Sequence, residues 1–509
     1  AIPPTIFGYI LRSMSVHAPI LRRLITRPRS VAIIDDRRSY KGAEIVVGAL
    51  HVANAIAPRS KSDTVALLLP TSGAFPIAAL GAWMLGKTVV PLNYLLKPDE
   101  LQYVIDDCGA DTILTVEPML EHLGYAPKVA NLLKLEDINF KSLPRPRWPA
   151  GRRDSDLATL LYTSGTSGRP KGVMLTHANL SANLRQTRSV TACTPADTLF
   201  GILPQFHSFG LTVLTLMPLS VGAKAVYSAR FVPHRVLQSI REHRPTLMVA
   251  IPSMYNALLS VKNTHPDDFH SFRLIASGGE PLPRDVANRF HERFGVHLTE
   301  GFGLTETSPV TNVCMPHEHR PGSVGPPVPG VIQRIVDIET NAILPAGQEG
   351  ELRIHGPNVM KGYFNLPDQT AEAFDSEGFF RTGDMAKIDE DQHLYITGRL
   401  KEMLIVGGEN VFPREIEEVL NDHSSVFASG VVGEIDPVRG EVPVAFVQAE
   451  EGATIDEGEL KALCRERLAG YKVPRRIIVL DELPRNPTGK ILRRDLKAML
   501  GQDAGSGQG

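Results

Sequence analysis

The residues from Tyr162 to Gly172 read Tyr-Thr-Ser-Gly-Thr-Ser-Gly-Arg-Pro-Lys-Gly, which gathers hydroxyls, glycines and one lysine into a single short run. Glycine lets a backbone turn its N–H groups toward an anion with no Cβ in the way. Gly165 and Gly168 supply that freedom, Thr163, Ser164, Thr166 and Ser167 add hydroxyl donors, and Lys171 adds a mobile positive charge. The chemistry this suits is the handling of a polyphosphate. It is not a Walker A arrangement, in which Gly-Lys is followed directly by Ser or Thr: here Arg169-Pro170 precedes Lys171 and Gly172 follows it. By itself the loop implies nucleotide binding and no particular reaction.

Other short motifs follow in order. They are Pro204-Gln205-Phe206-His207-Ser208-Phe209-Gly210, Ser277-Gly278-Gly279-Glu280-Pro281-Leu282 and Gly301-Phe302-Gly303-Leu304-Thr305-Glu306-Thr307. Beyond them come Phe380-Arg381-Thr382-Gly383-Asp384, Gly398-Arg399-Leu400-Lys401-Glu402, Gly407-Gly408-Glu409-Asn410-Val411 and Pro484-Arg485-Asn486-Pro487-Thr488-Gly489-Lys490. With this series the chain resembles, over nearly its whole length, the adenylate-forming superfamily of acyl-CoA synthetases, adenylation domains and firefly luciferases. The resemblance implies an ATP- and Mg²⁺-dependent acid–thiol ligase that forms an acyl-adenylate and then a thioester, with coenzyme A as co-substrate.

Attack of a carboxylate on the α-phosphorus of ATP brings two anions together, so catalysis must be mostly positioning and charge neutralisation. The resemblance distributes that work. Lys490 would bridge the substrate carboxylate and the α-phosphate, Thr305 would contact the α-phosphate, and Glu306 would hold Mg²⁺ as a hard oxygen ligand. Gly279, Glu280, Pro281, Phe302 and Gly303 belong to the adenine motifs, and Phe302 offers a flat face for the base where many relatives have tyrosine. Asp384 would accept from the ribose hydroxyls and Arg399 would reach ribose and phosphates. Lys401 matches a hinge about which a small C-terminal domain swings, and Gly407 and Gly408 would leave room for a pantetheine arm. Glu402 and Gln205 depart from the aspartate and leucine common in relatives.

His207 separates branches of this family. Amino-acid-activating relatives place an aspartate there for the substrate ammonium; a His among Phe206, Phe209 and Leu211 offers no fixed anion. The acid is therefore expected to be apolar and unaminated, a medium- or long-chain fatty acid, with His207 gating or orienting its carboxylate. The apolar run Phe209 to Val221 is expected to line an acyl tunnel. A close alternative is a synthetase that loads an acyl-carrier protein. A luciferase-like oxygenase shares the adenylation motifs, and a non-catalytic nucleotide-binding module is disfavoured because Lys490 and Glu306 are both kept.

The elements that must position these groups read as α/β. Short apolar runs such as Val65–Leu69, Thr112–Thr115 and Leu247–Ile251 alternate with helical stretches, which implies βαβ units and largely parallel sheets. From about Gly322 to Ile396 short strands punctuated by Gly and Pro imply a β subdomain, and beyond Arg399 a compact pattern resumes with helices over Arg414 to Leu420 and Glu457 to Leu468. The expected division is a large N-terminal AMP-binding domain over 1–398, a boundary at 399–400, a small mobile α+β domain over 401–500 and a flexible tail over 501–509. Leu143-Pro-Arg-Pro-Arg-Trp-Pro-Ala150 reads as an exposed connection.

Bulk properties exclude other classes. A net charge of −2 gives no overall field toward nucleic acid. Cys108, Cys193, Cys314 and Cys464 form no Cys-x-x-Cys pair, which argues against a zinc ribbon or a disulfide framework and fits a reducing cytoplasm. Thr64 to Gly86 is apolar enough to span a bilayer but is broken by Pro70, Ser72 and Gly73, so a strand, a turn and a helix are expected. Thr198 to Ala223 reads as a buried helix with its entry loop. No secretory signal is evident, and Ile20 to Arg27 is expected to be a helix covering the first strand rather than a lipid anchor, so membrane contact is at most peripheral. His317-Glu318-His319 lacks the helical spacing of a zinc site.

Overall fold

The computed structural model describes residues 15–164, 169–485 and 491–503, organised by four sheets. The first has seven strands ordered Gly362–Tyr363, Pro170–Thr176, Leu157–Ser164, Thr88–Pro91, Thr64–Leu68, Thr112–Thr115 and Asn131–Lys134. Its centre is parallel, while 157–176 is an antiparallel hairpin in which Thr163 stands opposite Lys171. The second has eight strands ordered Val310–Val313, Thr299–Gly303, Leu274–Ser277, Leu247–Ala250, Thr198–Gly201, Lys224–Tyr227, Val31–Ile34 and Ser39–Lys41. It is parallel within and closed at each edge by an antiparallel strand. Strands such as Leu247–Ala250 are apolar throughout and fully buried, as parallel strands covered on both faces must be.

A third, antiparallel sheet runs Ile332–Val336, Gly350–His355, Phe380–Ile388, Leu394–Arg399. The fourth joins Glu409–Val411, Leu404–Val406, Gly440–Ala449 and Val426–Asp436, with Arg476–Leu480 parallel to Gly440–Ala449. Pro413–Asn421, Glu457–Arg467 and Arg493–Asp503 are its helices. The protein is thus α/β, with a large N-terminal part of βαβ and short-stranded β layers and a smaller α+β C-terminal part.

Periodicity explains how one helix feeds the site. Arg284–Phe294 buries Val286, Phe290 and Phe294, spaced four residues apart on one face. The Phe290 ring lies 5.0 Å from Phe269 and 4.8 Å from Phe294. Gly295 ends the helix at φ 70° and the chain turns into the strand Thr299–Gly303. Phe290→Ala should cost roughly 3–5 kcal/mol through the cavity it leaves.

Two expectations change. Thr198–Gly201 is a central strand rather than the entry to a helix, because a four-residue stretch is too short for periodicity to separate the two states. The final helix continues to Asp503, into the segment expected to be tail, and 504–509 lie outside the described residues. Thr64 to Gly86 folds as the strand Thr64–Leu68 and the helix Ala74–Met84, and no described helix is long and apolar enough to cross a membrane. The helix His17–Thr26 buries Ile20, Leu21 and Leu24. All four cysteines are buried and free.

Candidate active site

The carboxyl end of Thr299–Gly303 delivers Phe302 and Gly303, and the turn Thr305–Thr307 follows at once. At Gly303 a Cβ would lie 2.0 Å from the Pro309 carbonyl oxygen, so no side chain fits. Thr305 Oγ1 lies 3.4 Å from Ser208 Oγ, which ties this turn to the segment carrying His207. Glu306 is fixed twice. Its carbonyl accepts from the Met360 N–H at 2.7 Å, and its Oε1 accepts from the Tyr363 hydroxyl at 3.0 Å. The Tyr363 ring also lies 5.2 Å from Lys171 Nζ. Burial, then the Glu306 carboxylate, raises the Tyr363 pKa, so the phenol stays protonated and donating. Thr163 stands across the hairpin from Lys171. Gly165, Thr166, Ser167 and Gly168 lie outside the described residues, as does the side chain of Ser164.

Asp384 and Arg399 are partners in register on adjacent antiparallel strands. Arg399 Nε donates to Asp384 Oδ1 at 2.8 Å, and the carboxylate is 2% exposed. Asp384 and Arg399 line a cleft of ≈ 1220 Å³ together with Gly279, Glu280, Pro281 and Phe302. Gly279 holds φ 85°, a left-handed conformation that suits glycine. The opposite wall belongs to the C-terminal part and includes Arg485 and Ile491, the residues that flank the Lys490 loop. Lys490 itself lies outside the described residues. Arg485 and Glu280 both line this cleft, and burial lowers the Arg485 pKa while the Glu280 carboxylate opposes the shift.

Gly407 and Gly408 form an exposed hairpin tip at φ 62° and 92°, where an added Cβ would meet nothing within 4 Å. The Gly407 N–H donates to the Arg439 carbonyl at 2.7 Å. Lys401 sits in the turn Leu400–Glu402, its ammonium held below its usual pKa by desolvation and then by Arg399.

His207 stands at the start of the helix Ser208–Leu211, where its Nδ1 accepts from the Phe209 N–H at 3.4 Å. Crowding by protein atoms lowers its pKa, yet the residue is exposed to solvent; we read it as a neutral imidazole in an open site. Phe206 packs edge-on to Tyr94 at 4.9 Å. The expected acyl-tunnel run folds differently: Leu211 to Leu219 are buried in the main core, with Thr212–Leu216 as a π-helix. Thr215 Oγ1 fastens that turn by donating to the Gly210 carbonyl at 2.8 Å. The unusual Gln205 has a clear role here. Its Oε1 accepts from the Ser72 N–H at 2.9 Å and its Nε2 donates to Thr215 Oγ1 at 3.0 Å, so a buried amide is satisfied at both ends.

Three residues went unflagged by sequence. Tyr363 carries no anion-binding character by type, and only its contact with Glu306 reveals it. Glu300, buried in the cleft wall, has its carboxyl pushed up to about 7 by burial, with Arg414 of the small domain opposing. Arg493 pairs with Glu402 at 2.9 Å and Glu417 at 2.7 Å, tying the segment after Lys490 to the turn that holds Lys401. His319, by contrast, stacks on His297 at 5.5 Å, and its neighbours His317 and Glu318 form a one-turn helix.

This arrangement has counterparts. Residues 22–364 match the AMP-binding enzyme family and 415–490 match the AMP-binding enzyme C-terminal domain. The chain is 33% identical to a feruloyl-CoA synthase of an Amycolatopsis species, over 96% of this chain and 100% of that one. It is 34% identical to a long-chain-fatty-acid–CoA ligase of Bacillus subtilis, over 86% of this chain and 85% of that one. Among solved structures, ATP-bound MatB from Rhodopseudomonas palustris superposes with a TM-score of 0.86 at 32% identity, covering 95% and 99% of the two chains. The o-succinylbenzoate CoA synthetase of Bacillus subtilis, with its acyl-adenylate OSB-AMP, gives 0.84 at 31%, covering 94% and 97%. The chain belongs to the AMP-binding enzyme family, in its adenylate-forming acyl-CoA synthetase branch. Its activity is that of an AMP-forming acid–CoA ligase, with ATP and coenzyme A as substrates.

Proposed function

We propose that the acid is an apolar, unaminated carboxylic acid, in the first reading a medium- or long-chain fatty acid, that Mg·ATP converts to an acyl-adenylate before coenzyme A displaces AMP. The observation that carries this is His207, an exposed imidazole next to Ser208, whose hydroxyl meets Thr305 at 3.4 Å, where an ammonium-bearing substrate would need a fixed anion. Phe206 and Phe209 flank it in the chain, and Phe206 packs on Tyr94. In this reading Asp384 accepts from the ribose, Arg399 and Lys171 face phosphates, Thr305 contacts the α-phosphate and Lys490 completes the site from the small domain, turning about Lys401. Glu306 fits a divalent cation: its carboxylate is oriented by Tyr363 through one oxygen, and the charge it offers is the hard oxygen donor that Mg²⁺ takes. That cation would neutralise phosphate charge. Gly407 and Gly408 would border the coenzyme A arm.

A second reading, a compact aromatic acid, draws on two observations. The run from Leu211 to Leu219 is packed as core rather than open as a tunnel, and a relative matched over its full length is a feruloyl-CoA synthase. Pyrophosphate release from fatty acids of graded length and from hydroxycinnamic acids, followed by thioester formation with coenzyme A or a holo-acyl-carrier protein, tests both. Turnover of cinnamic acids without fatty acids would overturn the first reading. Thioester on the carrier protein alone would move the acceptor.

A further inference from the structure

A surface strap outside the cleft has the chemistry of a lipid contact. Between Phe140 and Arg153 the chain carries five cations, Lys141, Arg145, Arg147, Arg152 and Arg153, and no acid, in a protein whose net charge is −2. The same segment presents Leu143 at 96% exposure and Trp148 at 64%, with Phe140 at 43%. No regular element covers residues 139–153. The prolines at 144, 146 and 149 deny a helix or a ladder to this stretch, so its apolar side chains have no face to turn inward.

The strap is nevertheless anchored. It runs along the helix Gly42–Ile56, whose His51 meets the Phe140 ring edge-on at 5.4 Å. Asn54, one turn on, donates to the Arg145 carbonyl at 3.0 Å and accepts from Arg147 Nε at 2.5 Å. Ala150 N–H then donates to the Met84 carbonyl at 2.8 Å. A tethered backbone with outward Leu and Trp is ordered before any partner arrives, which lowers the entropic cost of docking.

At its far end the strap opens on a cavity of ≈ 520 Å³ lined by Arg152, Arg153 and Lys361 with the hydroxyls of Thr64, Thr88 and Ser155. Asp63 and Asp156 share the wall, but Asp156 already serves both arginines, at 3.3 Å from Arg153 and 3.7 Å from Arg152. A positive excess remains beside the exposed tryptophan. We infer that residues 140–153 are a peripheral docking strap for an anionic phospholipid bilayer, with Leu143 and Trp148 entering the interface and the cations facing headgroup phosphates. Cations interleaved with Trp and Leu suit that boundary, where aromatic rings prefer the headgroup level and anionic leaflets attract Lys and Arg. The strap precedes the amino end of Leu157–Ser164, whereas the phosphate loop follows its carboxyl end, so docking leaves the cleft open to water.

The test is flotation of the full-length protein with vesicles of phosphatidylcholine alone or with phosphatidylglycerol, at low and high salt. Binding to the anionic vesicles only, weakened by salt, is expected. K141E/R145E should reduce it at least roughly tenfold, and L143S/W148S should reduce it separately. Neither pair should change pyrophosphate release from a water-soluble acid. The protein has two tryptophans, and Trp83 is 1% exposed, so a blue shift on vesicle addition reports Trp148. No partition, or partition that both double variants retain, overturns the inference. So does equal binding to a soluble polyanion with no change in Trp148 emission, which would make this a general anion surface.

Discussion

On the large-domain side of the site the polar groups hold one another: Arg399 meets Asp384 at 2.8 Å and Tyr363 meets Glu306 at 3.0 Å. On the opposite wall Arg493 directs its contacts to Glu402 and Glu417 of its own side. A described ion pair also joins the two sides. Arg289 reaches Glu450 across the gap at 3.2 Å while also holding Asp285 at 3.0 Å. The large-domain groups are therefore held by contacts within their own side, and under the proposed reading the small domain's contribution depends on where it sits. Electrostatic catalysis draws its strength from donors and charges fixed before the reaction, so the two walls should fail differently when altered.

Lys490→Ala should give the largest effect, because it removes the charge the small domain is proposed to bring. A loss on the order of 2–4 kcal/mol, a hundredfold or more in rate, is expected in adenylation. Thioester formation from supplied acyl-adenylate should fall far less. Equal losses in the two half-reactions would erase the distinction between the walls.

Asp384→Asn should act on both half-reactions together, since in the proposed reading Asp384 holds the ribose through each of them. Loss of a charge-assisted hydrogen bond costs about 1.5–3 kcal/mol, here with Arg399 left without its carboxylate. Isothermal binding of ATP would show the loss directly. A variant impaired only in thioester formation would place Asp384 outside the nucleotide site.

The same contrast runs through what the sequence made legible. Groups whose role depends on type and immediate neighbours, such as Asp384, Arg399 and Glu306, stand out because short motifs set their backbone. Tyr363 and Glu300 do not, since their environment comes from residues far along the chain: Tyr363 lies 57 positions from Glu306. The α/β alternation was readable because buried parallel strands are apolar throughout. Thr198–Gly201 was not, nor was the π-helix at Thr212–Leu216, whose hydroxyl and amide partners Gly210, Gln205 and Ser72 have no sequence signature. Two basic apolar segments make the point most sharply. Ile20 to Arg27 has helical spacing and buries its leucines, whereas 140–153 has prolines and exposes Leu143 and Trp148.

Glu300 lies where the walls meet, and its effect should appear in stability. An ordinary glutamate ionises near 4.3, while burial pushes Glu300 up to about 7 in the fold. Between those values the folded state keeps a proton that the unfolded state releases, so stability falls as pH rises from about 4.3 to about 7. Glu300→Gln should flatten the melting temperature across that window by a few degrees. An unchanged slope would mean that the carboxylate ionises freely, with Arg414 compensating more than burial costs.

Tyr363→Phe is the finest probe, because it removes one oxygen and leaves the ring under Lys171. The phenol donates to Glu306 Oε1, so without it the carboxylate keeps its charge but loses that donor, while the bond from the Met360 N–H still holds the Glu306 backbone carbonyl. A neutral donor to a charged acceptor is worth about 1.5–3 kcal/mol when its loss leaves the acceptor dry; water in the open cleft should replace part of it, leaving about 1 kcal/mol. The expected outcome is a severalfold rise in the Mg²⁺ concentration needed for half-maximal pyrophosphate release, with kcat at saturating Mg²⁺ nearly restored. If saturating Mg²⁺ restores nothing, Tyr363 acts on the phosphates through Lys171 instead of on the cation through Glu306, and the order on the large-domain wall runs through its aromatic ring.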